Sequence, residues 1–115
     1  MEHAVQKKSF DFAVRIVKLC KHLRETDNEY IMTKQLLRSG TSIGANVAEA
    51  QQAQSKSDFV HKMSIALKEA SETHYWLRLL NATNYLSDKA LDSIALDCQD
   101  LIKLLTAIIK SAKEG

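Results

Sequence analysis

The sequence contains no proline and only three glycines among 115 residues. A sandwich or barrel of strands needs turn residues roughly every eight to twelve positions, so all-β folds are excluded. Cysteine is equally scarce: Cys20 and Cys98 are too few for a disulfide framework and fit reduced thiols in a core. No uncharged run approaches the ~20 residues that span a bilayer, so no membrane partner is expected. The start, Met1 to Lys8, lacks an apolar stretch after its charges and does not read as a signal peptide. A cytoplasmic protein is the expectation. A large excess of one charge sign is also missing, with 16 Lys and Arg against 14 Asp and Glu.

What is present is an apolar content of 45%, close to the globular average of about 45–50%, which argues against disorder. The chain is long enough for one domain, residues 1–115, with a modest core. The net charge of +2 predicts nothing by itself, but its distribution is uneven. Residues 1–24 hold six basic and two acidic side chains, whereas every later quarter stays near neutral or slightly acidic.

Placing residues at about 100° per position yields four amphipathic segments. The first runs from near Ser9 to near Arg24, with Phe12, Ala13, Ile16, Val17, Leu19, Cys20 and Leu23 on one broad face. Thr26-Asp27-Asn28-Glu29 has the form of a capping box and predicts the start of a second helix over roughly 28–53. Met32, Leu36, Ile43, Val47 and Ala50 form its apolar stripe. Ser55 to Asp58 marks the next helix start, and Phe59, Met63, Ala66, Ala70 and Leu77 align before the pattern breaks near Asn81. Ser87-Asp88 opens a fourth helix to about Lys113, where Ile94, Cys98, Leu101, Leu105, Ile108 and Ala112 form a short heptad seam. Four such helices on short polar links predict an all-α, antiparallel up-and-down four-helix bundle.

A helix in a monomeric bundle needs only one apolar stripe. The third helix carries more: Ile65, Trp76 and Leu79 lie roughly opposite the Phe59–Leu77 stripe and flank Glu72. Trp is over-represented at interfaces, so these four residues are interface candidates and a homo-oligomer is expected.

His3, His22, His61 and His74 form no metal-ligand pair with each other or with a cysteine. Glu69 and Glu72 lack the Glu-x-x-His partners of a di-iron bundle, so neither metal nor other cofactor is expected. Arg38-Ser39-Gly40-Thr41-Ser42-Ile43-Gly44 lacks the Gly-Lys-Ser/Thr ending of a phosphate loop. Both cysteines sit on core faces, where a thiol is usually inert, and no catalytic residue is expected. The one chemical signal is a basic face on the first helix: Lys7, Lys8, Arg15, Lys18 and Lys21, with His22 beside them. Such a face contacts phosphates or is merely solvated. Exposure of Lys8, Arg15, Lys18 and Lys21 on one side favours RNA or DNA, and their burial in ion pairs favours a protein scaffold.

The run Arg38-Ser39-Gly40-Thr41-Ser42-Ile43-Gly44-Ala45-Asn46-Val47-Ala48-Glu49-Ala50 resembles the signature of the bacterial 23S ribosomal RNA intervening-sequence proteins. Ala66 to Thr73 and Trp76-Leu77 are similar to that family's third helix, and the helix spacing fits over essentially the whole chain. Ala50 departs from the pattern, since relatives often carry glycine there. The motif residues are Arg38, Ser39, Ser42, Asn46 and Glu49. The resemblance extends to the accessory protein of diversity-generating retroelements. It implies a four-helix bundle, a homopentamer, and a nucleic-acid or protein partner.

On the residues alone, Arg38, Ser42 and Glu49 share one flank of the second helix with Asn46 at its margin. Arg38 and Glu49 stand eleven residues apart, roughly 16 Å along a helix, and cannot pair with each other. Arg38 is expected to meet Glu69 or Glu72 across a helix or subunit contact. Specifying helix register and oligomer geometry is the plainer role for this motif, with direct ligand contact as the alternative.

Overall fold

Three of the four helix starts follow from a local oxygen acceptor. In the computed structural model, which describes residues 2–115, four helices account for nearly the whole chain: α1 (Glu2–Asp27), α2 (Ile31–Ala50), α3 (Lys56–Ala82) and α4 (Asp88–Glu114). Ser55 Oγ accepts from the Asp58 N–H and Ser87 Oγ from the Ala90 N–H, so both serine caps read from the sequence are formed.

The start of α2 differs from expectation. Thr26 lies inside α1, and its hydroxyl donates to the His22 carbonyl instead of capping α2. Glu29 takes over: its carboxylate accepts from the Ile31, Met32 and Thr33 N–H groups at 2.8–3.1 Å. One side chain thus satisfies three of the orphan donors, and α2 begins at Ile31, three residues later than the box predicts. It also ends earlier, at Ala50 rather than near residue 53.

Helix ends use asparagine. Asn28 and Asn84 adopt positive φ, at 54° and 70°. At Asn84 the Tyr85 N–H reaches the Leu80 carbonyl and the Asn84 N–H reaches Asn81, a Schellman closure. Asparagine tolerates this left-handed conformation where glycine is missing.

α1 begins well before Ser9, because Val5 is fully buried and adds one more turn to its core face. α2 packs closely against α1 and α3, and α3 against α4, whereas α1 and α4 meet much more loosely. The diagonal pairs stay apart, so the helices occupy the corners of a square in a body of 46 × 21 × 19 Å. Phe12, Ile16, Leu36, Ile43, Met63, Leu77, Leu101 and Leu105 fill the centre, all 2% exposed or less.

Two interior glycines position the neighbours. Glycine inside a helix costs about 1 kcal/mol relative to alanine. A Cβ on Gly40 would stand 2.7 Å from Ile16 Cγ2, and one on Gly44 would stand 3.3 Å from the Ser9 carbonyl oxygen. Close approach of α1 is what the missing side chains permit. Their cost is offset by that packing.

Candidate nucleic-acid interface

The five residues of the predicted basic face on α1 divide into two groups. Lys7 Nζ is 2.7 Å from Asp11, one turn away, in an exposed i,i+4 pair. Arg15 reaches across to α4, where Nη1 is 2.6 Å from Asp97 and Nη2 donates to Ser93 Oγ at 3.1 Å. Lys8, Lys18 and Lys21 are exposed and, among the described residues, make no ion pair. The two outcomes set out from the sequence are therefore both partly realised. Two cations are engaged, and three face solvent along about 20 Å of one helix.

The motif of α2 is a separate construction. Arg38 holds Glu69 at 3.1 Å and also Glu72, both on α3 of the same chain. The expected partnership thus forms between helices within one bundle. Trp76 Nε1 donates to Glu72 at 2.9 Å, so the indole, the guanidinium and two carboxylates form one network. Beneath it, buried Thr73 donates to buried Ser39 at 2.9 Å. Asn46 bonds back to Ser42, and Glu49 pairs with Lys62 at 3.0 Å, a contact that raises the ammonium pKa. Arg38, Ser39 and Glu49 thus bond to α3, with Arg38 and Glu49 still exposed, while Ser42 and Asn46 bond to each other within α2.

Of the interface candidates on α3, Ile65, Glu72, Trp76 and Leu79 are all half-buried within the chain, and Trp76 packs against the core. The larger open apolar surface lies elsewhere. Phe10 is 67% exposed on α1, with Val14 and Val17 also exposed beside it. Phe10 borders a groove of about 330 Å³ lined also by Ala13, Thr41, Gly44, Ala45 and Ala48. Sequence reasoning placed Val17 in the core and passed over Phe10. The width of the apolar arc on α1, too broad for one stripe, was the available signal.

Cys20 and Cys98 are buried free thiols. Burial pushes Cys20 up to about 11, partly opposed by the Arg24 charge, and pushes Cys98 up to about 12. Neither provides a thiolate near neutrality. No cluster of three metal-ligating side chains occurs among the described residues, and none of their helices is long and apolar enough to cross a membrane.

Fold and surface together define a small all-helical bundle whose open features are side-chain faces and shallow grooves. The model of the 23S rRNA-intervening sequence protein family matches residues 1–107, and the chain belongs to that family. A crystal structure of a protein of unknown function from the S23 ribosomal protein family of Bacteroides thetaiotaomicron superposes with a TM-score of 0.91. The two sequences are 56% identical, and the match covers 92% of this chain and 98% of that one. No protein of curated function matches the sequence.

Proposed function

We propose that this protein is a non-enzymatic, self-associating helical bundle that binds RNA or DNA through the cationic face of α1. The observation that carries the reading is the row of unpaired Lys8, Lys18 and Lys21 on one helix. Cations that make no ion pair displace the counterions of phosphates more readily than paired ones. The buried, protonated thiols support a role without covalent catalysis. Connections of three to five residues between neighbouring helices support an antiparallel up-and-down course.

Self-association is supported by the open face of Phe10, Val14 and Val17, an apolar patch of the kind that marks partner surfaces. A ring of five copies is the assembly that the family resemblance implies. It would repeat the lysine row around an axis and raise the local positive potential. A purely protein-binding scaffold is the second reading, favoured by the engagement of Lys7 and Arg15 in ion pairs.

Size-exclusion chromatography with light scattering, followed by filter binding of a structured RNA at two salt concentrations, separates these readings. An oligomer that binds RNA and loses affinity with salt is expected. A monomer removes the self-association, and absent or salt-independent binding removes the nucleic-acid role.

A further inference from the structure

The loosest seam of the bundle holds a site that the lysine row alone does not describe. Between α1 and the start of α4 lies a trough of about 460 Å³, within the usual size range of small-ligand sites. Leu19, Leu86, Ala90 and Ile94 line it with apolar surface, and Lys18 and Lys89 stand on opposite rims. Lys89 comes from α4, outside the basic face of α1, and is likewise exposed and free of ion pairs among the described residues.

We infer that this trough receives one unstacked nucleotide of a single-stranded nucleic acid, its base on the apolar floor and its flanking phosphates on Lys18 and Lys89. The inference rests on the nucleic-acid reading above and names the form of ligand. Three features select this occupant. The rims carry cations from two helices, so an anionic backbone crossing the trough meets positive charge on both sides. Lys21 stands about one turn beyond Lys18 on α1, which suits a strand running on past that end of the trough. The apolar floor is also short. The Arg15–Asp97 pair and the Ser93 contacts bridge the seam just past Ile94, and a polar recess of Lys8, Asp11 and Asp100 follows. From Ser87 to Ile94 the helix advances only about 10 Å, room for a flat ring system rather than a long docked helix. In a duplex the bases are stacked and paired, and the trough would stay empty.

The test uses the full-length protein and fluorescein-labelled 12-nucleotide single strands, in RNA and DNA arms, with the matching duplex as control. Anisotropy at low salt gives the affinities, and light scattering gives the assembly state. Lys89→Glu changes only an exposed rim and is expected to weaken single-strand binding several-fold. Ala90→Leu fills the floor and is expected to weaken it roughly fivefold to tenfold while leaving duplex binding nearly unchanged. Helical circular dichroism confirms that each variant folds. If both variants bind the single strand like the wild type while Lys18→Glu binds poorly, the trough is overturned and the lysine row survives. If the wild type binds no nucleic acid, both fall. A changed oligomeric state in Ala90→Leu with unaltered single-strand affinity assigns the trough to a second copy and overturns the inference. A stronger response in the RNA or DNA arm identifies the strand chemistry.

Discussion

Two sides of the same bundle are built on opposite terms. Around α2 the chain is closed: Gly40 lets Ile16 of α1 approach, Ser39 and Thr73 bond in the dark, and Arg38 spans to two carboxylates on α3. Between α1 and α4 the chain stays open, with one bridging ion pair, an apolar floor and unpaired lysines above it. On the first side Arg38 and Lys62 are held by carboxylates, whereas Lys18 and Lys89 at the second make no ion pair among the described residues. Charge count therefore says little about function until the partners of each charge are known. Arg38, Ser39 and Glu49 of the family motif bond to α3, and the candidate interface lies on the α1–α4 side.

Substitutions break this contrast in a definite order. The largest effect is expected at Gly40. Gly40→Val places atoms where Ile16 already sits and should cost about 3 kcal/mol in urea unfolding, against a helix-propensity gain of only a few tenths. Pairing it with Ile16→Ala should return part of that loss. A neutral Gly40→Val would show that the closed side is not tightly packed. Thr73→Val comes next, at about 1 kcal/mol, because the Ser39 hydroxyl loses its buried donor. Calorimetry of the single and double variants with Ser39→Ala measures the coupling.

Alkaline pH sharpens the contrast differently. Both thiols have folded pKa values raised above the ordinary value of 9.0, so the folded chain binds their protons more tightly. Their contribution is complete below pH 9 and is lost progressively as pH rises toward about 11 for Cys20 and about 12 for Cys98. Urea midpoints should fall over that window. The fall should be shallower in Cys98→Ala, and equal slopes would contradict the burial of that thiol.

The smallest stability effects are expected at the surface charges. Arg38→Ala should cost up to about 1 kcal/mol, and Lys18→Ala essentially nothing. Their effects on RNA binding should run the other way, with Lys18→Ala weakening it and Arg38→Ala leaving it unchanged. A binding loss in Arg38→Ala would move the interface to the α2–α3 side.

Helix number, the serine caps and most core positions were legible because each rests on local chemistry: a hydroxyl three residues before a free N–H, or apolar side chains every third and fourth position. The α2 start misled for a physical reason. Thr26 and Glu29 both have capping side chains, and the choice between a box and a lone carboxylate cap depends on where α1 ends. The α1 start was obscured by Lys7 and Lys8, although Val5 continues the buried face one turn earlier. The trough was not legible at all. Lys18 and Lys89 are 71 positions apart, and nothing local indicates that α1 and α4 would pack loosely enough to leave room between them.

The most direct test of the nucleic-acid role is a salt titration of single-stranded RNA binding by the wild type and by the Lys8→Ala, Lys18→Ala, Lys21→Ala triple variant. Each phosphate contact adds about 0.7 to the slope of log affinity against log salt for a single strand, so loss of three should flatten it by about 2. The account predicts that flattening with an unchanged thermal midpoint. Equal slopes for the two proteins, or no binding at low salt, would contradict it.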